Sequence, residues 1–338
     1  MNTVLITGSS GLVGSEASFY YDSIGWRVVG VDNNARATYF GLSGDTRQTL
    51  ERLTEGTANF SQENIDIRNR AAMLALVKKT RPDAIVHCAA QPAHEWSKLH
   101  PLEDFEINTS ATVTLLEAAR QHCPDSPFVF MSSSKVYGDA VNELEYTETL
   151  TRYEADPIDE SLRLDRSFHS PYGASKAAAD IMVQEFGRCY GMPTVCLRPN
   201  CMTGPAHAGV EMHGFLNYLV RASLEGTIYR IFGFKGKQVR DNIHSADVVS
   251  AIACCVDDPP MPGEVFNIGG GYDNSVSILE ATQRFQTKTE YVDRERSADH
   301  RVYVTDTCKF QNMYPGWSIT RDLDAIFDEM AGSLAAVA

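Results

Sequence analysis

Tyr172 and Lys176, four positions apart in the segment YGASK, are residues whose types and spacing could perform acid–base chemistry. On a helix this spacing puts both side chains on one face. A phenol with a pKa of about 10 is a poor base at neutral pH. A neighbouring ammonium and an oxidised nicotinamide would both favour the phenolate. A serine of the run MSSS at 131–134 could hydrogen-bond the substrate hydroxyl, although a bare YxxxK pair is also typical of an ordinary amphipathic helix.

A glycine-rich segment near the start of the chain, TGSSGLVG at 7–14, could bind phosphate. Glycines let the backbone turn tightly and approach a pyrophosphate at a helix N-terminus, although a simple strand–helix turn also explains them. The next apolar run ends at Asp32, whose carboxylate could accept hydrogen bonds from ribose hydroxyls and would repel a 2′-phosphate. We therefore predict a dinucleotide site that prefers NAD to NADP. Arg36 could accommodate the extra phosphate or could be a solvated loop cation.

The elements that must position these residues alternate between short apolar runs and amphipathic stretches. This alternation predicts an α/β fold with a Rossmann-type, doubly wound parallel sheet. We expect a dinucleotide-binding domain at 1–200, with segments near 235–270 returning to it, and a smaller substrate-binding lobe mainly at 201–338. A long polar, acidic loop is expected at 139–170. The predicted strands are Thr3–Thr7, Arg27–Val31, 84–88, Phe128–Met131 and 194–197, and helices are expected at 108–121 and 172–189.

Composition excludes several classes of protein. The 338 residues include 30 Lys and Arg against 44 Asp and Glu, a net charge of -14, which argues against nucleic-acid binding and against a polybasic membrane binder. No apolar run reaches the ~18 residues of a membrane span, and the N-terminus has no signal-peptide pattern. The eight cysteines have neither disulfide-framework nor metal-site spacing, so we expect reduced thiols in a cytoplasmic protein without a metal site.

Several motifs carry a family resemblance, in the expected order along nearly the whole chain. They are TGSSGLVG, DI at 66–67, HCAAQ at 87–91, SSSKVYGD at 132–139, SPYGASK at 170–176 and KQVRDNIHSAD at 237–247. The chain resembles the extended short-chain dehydrogenase/reductases, the NAD-dependent sugar-nucleotide epimerases and dehydratases. This resemblance implies a Rossmann domain with a C-terminal substrate lobe, and tightly bound NAD that is regenerated in each turnover. It also implies a nucleotide-sugar substrate, and a homodimer formed through the helices at 108–121 and 172–189.

The resemblance also implies roles for individual residues. The catalytic set is Ser133, Tyr172 and Lys176. The implied cofactor-binding residues are Gly8, Gly11, Leu12, Val13, Gly14, Asp32, Asn33, Asp66, Ile67, Ala89, Ala90, Gln91, Asn108, Tyr172, Lys176 and Pro199. The implied substrate-binding residues are Gln91, His94, Ser133, Ser134, Lys135, Asn200, Arg240 and Arg301.

Two of these substrate-binding assignments have explicit alternatives. The guanidinium of Arg240 suits a nucleotide diphosphate, but it could instead pair with Asp241 or Asp247. Arg296 competes with Arg301 for a second diphosphate contact.

The residues after Ser133 discriminate between reactions within this family. The 4,6-dehydratases carry an Asp-Glu pair there, whereas this chain has Ser134 and Lys135, which favours epimerisation. The segments KVYGD, TRY, DES and HSPYGASK resemble the CDP-paratose (CDP-tyvelose) 2-epimerase subgroup, which acts at C2 of a CDP-hexose through a 2-keto intermediate. That subgroup commonly has Asn where this chain has Ser134. The alternatives are a UDP-sugar 4-epimerase, a net NAD-dependent reductase and a non-catalytic NAD-binding protein.

Overall fold

The computed structural model describes residues 1–204, 206, 214–294 and 298–335. In chain order its strands are β1 Thr3–Thr7, β2 Arg27–Val31, β3 Phe60–Glu63, β4 Ala84–His87, β5 Phe128–Met131, β6 Thr147–Glu148, β7 Tyr153–Glu154, β8 Thr194–Pro199, β9 Cys201–Thr203, β10 Tyr229–Phe232, β11 Val239–His244, β12 Glu264–Ile268, β13 Ser275–Ser277, β14 Thr289–Val292 and β15 Val302–Tyr303.

The α-helices surround these strands. They are α1 Leu12–Ser23, α2 Arg36–Phe40, α3 Arg47–Gly56, α4 Arg70–Thr80, α5 His94–Leu99, α6 Pro101–Phe105, α7 Ala111–His122, α8 Ser170–Tyr190, α9 Phe215–Glu225, α10 Ser245–Asp257, α11 Ile278–Arg284, α12 Cys308–Met313 and α13 Leu323–Ala335. Among the described residues, no helix is both long and apolar enough to cross a membrane.

The centre of the molecule is a seven-stranded sheet in the order β12-β8-β5-β4-β1-β2-β3. Each neighbouring pair is parallel, which confirms the predicted fold class. The strand order reverses at β1, which lies between β2 and β4. In sheets of this kind, ligands bind in the crevice beyond the carboxyl ends of the strands at such a reversal. The topology thus places a site beside the glycine-rich loop that follows β1.

Both faces of the sheet are buried, which explains why its strands read as continuous apolar runs. Along β1, Val4 and Ile6 pack into one hydrophobic cluster and Leu5 into another. Successive strand residues point to opposite faces. α10 packs on the Val4 side and α7 on the Leu5 side. A strand apolar on both faces is therefore what a sheet with a helical layer on each side requires.

A second core lies in the C-terminal part of the chain. Residues of α9, β10, β13, α11 and α13 form a separate hydrophobic cluster there, which includes Leu219, Ile231 and Phe327. β11 pairs with β9, β13 and β15 rather than with the central sheet. α10 and β12, by contrast, pack with the central sheet. Because the chain passes more than once between the two cores, the boundary at residue 200 stays a prediction.

The polar segment at 139–170 is mostly irregular. It contains the end of a 3-10 stretch, Ser134–Glu143, and the short hairpin of β6 and β7. Arg152 Nη2 donates to Ser275 Oγ at 2.5 Å, and Thr151 Oγ1 donates to Glu280 Oε1 at 3.0 Å. These contacts attach the segment to the C-terminal core. It ends where α8 begins, so it leads directly to Tyr172.

Candidate active site

A cavity of about 470 Å³ lies at the carboxyl ends of the central strands and extends to the C-terminal lobe. Most of the predicted site residues line it. They are Gly8, Gly11, Leu12, Val13, Gly14, Asp32, Asn33, Asp66, Ile67, Ala89, Ala90, His94, Ser133, Ser134, Lys135, Tyr172, Lys176, Pro199, Asn200 and Arg240. At the lobe end the wall includes Phe215, Tyr229–Phe232 and Gln238. The fold therefore brings residues from both cores to one elongated cavity.

The glycine-rich loop approaches neighbouring backbone too closely for side chains. Gly8 has a φ of 68°, and a Cβ there would lie 2.8 Å from the backbone nitrogen of Ala89. A Cβ on Gly14 would overlap the carbonyl oxygen of Gly8. The 12-residue helix α1 begins directly after Gly11. A bare backbone at a helix N-terminus fits the pyrophosphate of a dinucleotide.

Asp32 lies at the end of β2, at the edge of the same cavity. Its Oδ2 accepts from the backbone N–H of Ser10 at 3.1 Å and its Oδ1 from that of Asn34 at 2.8 Å. Burial raises the pKa of Asp32, and these backbone hydrogen bonds act against that shift. Burial lowers the pKa of Arg36 to about 10, and its guanidinium lies 4.6 Å from the centre of the Phe40 ring. The fixed carboxylate fits the adenosine ribose of NAD.

The predicted catalytic residues converge from two elements. β5 ends just before Ser133, and α8 carries Tyr172 and Lys176. Lys176 Nζ donates to the carbonyl oxygen of Met131 at 2.7 Å, and burial lowers the pKa of this lysine to about 8. Burial raises the pKa of Tyr172 to about 12, while a hydrogen bond with Ser133 acts in the opposite direction. The phenol is therefore protonated at neutral pH, and a positive charge nearby would favour its ionisation.

A buried ion pair behind these residues was missed by the sequence analysis. Asp180 accepts from Arg198 Nε at 3.0 Å and Nη2 at 2.7 Å, and from Ser132 Oγ at 2.5 Å. This pair therefore ties β5, α8 and β8 together beneath the cavity. Asp180 lies four residues after Lys176 on α8, so the same spacing that revealed the lysine could have revealed this carboxylate.

The two residues that follow Ser133 contact other residues of the cavity wall and its surroundings. Ser134 Oγ donates to Asn200 Oδ1 at 3.2 Å, and Asn200 Nδ2 donates to Asp241 Oδ1 at 2.6 Å. Lys135 Nζ donates to the carbonyl oxygen of Ala298 at 2.9 Å, and burial lowers its pKa to about 8. Polar side chains from three chain segments thus meet here.

Arg240 lines the cavity but has a different ion-pair partner from the two considered above. Its guanidinium pairs with Asp299 and also donates to the carbonyl oxygen of His300 at 2.6 Å. Asp241 instead accepts from Asn200, and Asp247 accepts from Thr320. The alternative of a pair with Asp241 or Asp247 is therefore wrong, because both carboxylates are engaged elsewhere.

His94 begins α5 and lies against Tyr172, the predicted base. The centres of the His94 and Tyr172 rings are 4.7 Å apart, in an edge-to-face arrangement. His94 Nδ1 is 3.4 Å from Ser170 Oγ. The predicted position of His94 beside the substrate is thus compatible with the structure.

Two predicted cofactor-binding residues do not line the cavity. Gln91 is fully buried, and its side chain contacts Ala93 and Asp104. Asn108 Nδ2 donates to the carbonyl oxygen of Gln91 at 3.1 Å and to Ser175 Oγ at 3.1 Å. Burial raises the pKa of Asp104, at the centre of this cluster, to about 6. These amides therefore join the strand end after β4 to α8, and their roles in binding cofactor or substrate stay predictions.

Arg301 is also absent from the cavity wall. Its guanidinium lies 4.2 Å from the centre of the Tyr146 ring and 5.5 Å from that of Phe234. Here the guanidinium makes cation–π contacts with the 139–170 segment and the lobe, and the diphosphate contact stays a prediction. The competing residue Arg296 lies outside the described residues. Within the described part of the chain, no cluster of three His, Cys, Asp or Glu residues could hold a metal.

Comparison with known proteins identifies the family of this chain. Residues 4–269 match the family described as "NAD dependent epimerase/dehydratase family". The chain belongs to this family. Its relatives include the CDP-paratose 2-epimerase of Salmonella typhi, 34% identical over 91% of this chain and 92% of that protein. Another is dTDP-glucose 4,6-dehydratase 1 of Escherichia coli (strain K12), 30% identical over 90% of this chain and 81% of that protein.

Solved structures agree with this epimerase/dehydratase assignment at the level of the fold. One is the UDP-glucuronic acid 4-epimerase from Bacillus cereus, in complex with UDP-glucuronic acid and NAD. It has a TM-score of 0.80 and 22% identity, with 99% of this chain and all of that chain covered. A UDP-glucose 4-epimerase from Thermotoga maritima has a TM-score of 0.77 and 24% identity, with 99% of each chain covered. The predicted family, fold class and NAD cofactor are confirmed.

Proposed function

We propose that this enzyme inverts C2 of a CDP-activated hexose, with NAD retained through the reaction. The observation that carries the proposal is the convergence of Ser133, Tyr172 and Lys176 on a cavity that continues to Arg240. The positions after Ser133 are Ser134 and Lys135, so the cavity wall has no carboxylate pair there for elimination of water. The likeness to a protein named as a 2-epimerase, over nearly the full length of both chains, supports C2 and cytidine.

The protein's own residues account for the proton movements. When bound, NAD accepts a hydride from the sugar carbon and returns it. Tyr172 takes the proton of the substrate hydroxyl, and Ser133 hydrogen-bonds the same oxygen. The ammonium of Lys176 stabilises the phenolate. The keto sugar would then turn over so that the hydride returns to the opposite face of the carbonyl carbon, and Tyr172 would return the proton to the carbonyl oxygen.

Several lining residues are placed to hold the rest of the substrate. Arg240 is suited to the diphosphate because a guanidinium can donate two parallel hydrogen bonds to its oxygens. His94, Lys135 and Asn200 lie near the catalytic residues, where hexose hydroxyls would be. Asp299 pairs with Arg240, so a diphosphate would share this guanidinium with a carboxylate.

Product analysis without added cofactor tests the proposal. We would incubate the purified protein with CDP-, UDP- and GDP-hexoses and read the ring-proton couplings by NMR. The expected result is inversion at C2 with a CDP-hexose. Inversion at C4 of a UDP-sugar would contradict it and identify a 4-epimerase. Turnover only with added reduced cofactor would indicate a net reductase, and bound NAD without any turnover would indicate a non-catalytic protein.

We further propose that the enzyme is a cytoplasmic homodimer. An apolar groove between α6, α7 and α8 is lined by Phe105, Val113, Ile181 and Met182. Phe105 and Ile181 are each nearly half exposed. The same groove on a second copy of the chain would cover these apolar side chains in a two-fold symmetric contact. All eight cysteines are free thiols, which supports a reducing compartment.

A further inference from the structure

Lys135 lies in the cavity wall close to both the predicted catalytic serine and Arg240. It follows Ser133 by two residues, and its backbone N–H donates to Ser133 Oγ at 3.1 Å. The Lys135 side chain lines the same cavity as Ser133 and Arg240, and it is 18% exposed. Part of this side chain is therefore accessible to a molecule bound in the cavity.

The ammonium of Lys135 has more hydrogen-bond donors than the described residues satisfy. Its Nζ donates to the carbonyl oxygen of Ala298 at 2.9 Å. Asp299 Oδ1 is 3.9 Å from the same nitrogen, which is too far for a hydrogen bond. An ammonium carries three N–H donors, and this one makes no second hydrogen bond with the described residues. Donors of Lys135 therefore remain for an acceptor in the cavity.

Lys135 and Arg240 converge on one carboxylate oxygen. Asp299 Oδ1 forms an ion pair with the guanidinium of Arg240 and lies 3.9 Å from Lys135 Nζ. Asp299 and Arg240 also line the cavity, with 19% and 10% of their side chains exposed. Both cations can thus approach a single anionic oxygen. Because this carboxylate balances only one of their two positive charges, the pair suits a ligand that brings further negative charge.

The order of these side chains matches the order of groups in a nucleotide sugar. In the proposed reaction Ser133 meets the hydroxyl at C2, and Arg240 meets the diphosphate. C2 is the ring neighbour of C1, the carbon that carries the diphosphate. A cation that contacts Ser133 on one side and shares a carboxylate with Arg240 on the other therefore lies beside the phosphate bonded to the hexose. A diphosphate that joins two sugars carries two negative charges, so a second cation complements Arg240.

We propose that Lys135 and Arg240 together bind the phosphate nearest the hexose, with Lys135 donating to an oxygen of that phosphate. This inference rests on the proposed function, because it assumes a nucleotide-activated hexose in the cavity. It assigns the ammonium of Lys135 to the charge of the diphosphate rather than to a hexose hydroxyl. Ligands that share the nucleoside but differ in their phosphates and hexose therefore separate these two roles.

Binding measurements on the NAD-loaded protein test this inference. A Tyr172→Phe background prevents turnover, and calorimetry gives affinities for cytidine, CMP, CDP and CDP-glucose. Lys135→Met, which removes the charge but keeps a long side chain, is expected to weaken CDP and CDP-glucose by similar factors of about tenfold. Cytidine and CMP lack the second phosphate, so their affinities should change less than about twofold. Lys135→Arg, which keeps the charge, should bind CDP more tightly than Lys135→Met.

The pH dependence of CDP binding gives a second readout. Burial lowers the pKa of Lys135 to about 8. The charged and titratable groups that face its ammonium are Asp139, Cys201, Arg240, Asp299 and His300. Burial raises the pKa of the Cys201 thiol to about 12 and lowers that of His300 well below its usual range, so both stay neutral at and above neutral pH. As Lys135 loses its proton from about pH 7 to 9, CDP affinity should fall about tenfold, and Lys135→Met should abolish this fall.

Lys237→Met is the matched control for Lys135→Met. The Lys237 side chain is 15% exposed, close to the 18% of Lys135, but it pairs with Glu148 and does not line the cavity. Its variant should change each affinity by less than about twofold. A loss confined to CDP-glucose in Lys135→Met, or no loss of CDP, would overturn the role of Lys135 alone. If the Tyr172→Phe parent binds neither CDP nor CDP-glucose, the proposed function fails and this inference fails with it.

Discussion

Burial drives both members of the Tyr172–Lys176 pair toward their uncharged forms. It raises the pKa of the phenol to about 12 and lowers that of the ammonium to about 8. At neutral pH the lysine keeps its proton and the phenol also keeps its own. In the proposed mechanism, Tyr172 can act as a base when another positive charge, such as that of an oxidised nicotinamide, lies beside the ring. Proton removal by Tyr172 would then depend on the oxidised cofactor.

Replacing the phenolic hydroxyl tests the role of Tyr172. We expect Tyr172→Phe to lower kcat by about 100-fold to 10,000-fold because it removes the proton acceptor. Bound NAD should remain, since the glycine-rich loop and Asp32 are unchanged. Absorbance of the protein-bound cofactor and NMR product formation measure the two effects. Tyr190→Phe, at the exposed end of the same helix, should keep full activity.

The ionisation of Asp104 should make stability depend on pH. Burial raises its pKa from 3.8 to about 6, so the folded state binds this proton more tightly than the unfolded state. The free energy of unfolding therefore falls as pH rises from about 4 to 6, because the carboxyl ionises in the unfolded state before it ionises in the folded state. Across that range the unfolding free energy of the natural protein should fall by about 2 kcal/mol relative to that of Asp104→Asn. Urea unfolding at several pH values measures the difference, and a constant difference would contradict the assignment.

The residues that sequence reasoning found are those whose partners are close along the chain. Tyr172 and Lys176 share one helix, and Asp32 follows a recognisable strand. Asp104, in contrast, accepts from Ser175, 71 residues away, so no local pattern marks it as buried. For the same reason the sequence could identify Gln91 as lying after a strand but could not predict that its side chain turns toward Asp104.

At the scale of the elements, the β1–α1 turn has a strict requirement for glycine. A methyl group on Gly14 would collide with backbone rather than with a movable side chain. We expect Gly14→Ala to lower the melting temperature and to weaken NAD binding at least about tenfold, because the loop must open to relieve the overlap. Gly316→Ala is the control, since a Cβ there has open space. Thermal unfolding and NAD titration of both variants provide the measurement; equal behaviour would contradict the prediction.

Element prediction succeeded where the pattern was apolar and failed at edges and distortions. β1, β2, β4, β5 and β8 are buried on both faces and were predicted. β3, with the sequence FSQE, is a half-exposed edge strand, so hydrophobicity does not reveal it. The helix expected from 108 begins regularly only at Ala111, because a π-helical turn, Glu106–Ser110, precedes it. That turn orients Asn108 toward the buried cluster around Asp104, which a regular period of 3.6 could not predict.

At the scale of the whole molecule, the apolar groove on α6, α7 and α8 predicts self-association. We expect Ile181→Glu to convert a dimer into a monomer at micromolar concentration, because a charge would be buried on both sides of a two-fold contact. Light scattering measures the mass of each variant. Ile228→Glu, a similarly exposed isoleucine near the lobe, should leave the dimer intact. A monomeric natural protein would contradict the homodimer proposal.

The late return of β12 to the central sheet has a consequence for the integrity of the chain. β12 lies at the edge of the central sheet beside β8. In the sequence, the residues that form α9, β10 and β11 lie between these two strands. A fragment that stops near residue 200 would expose the hydrogen-bonding edge of β8 and the apolar surface that α10 covers. Proteolytic separation of the two cores should therefore yield an aggregating piece rather than an autonomously folding nucleotide-binding module. We therefore expect the two cores to unfold together.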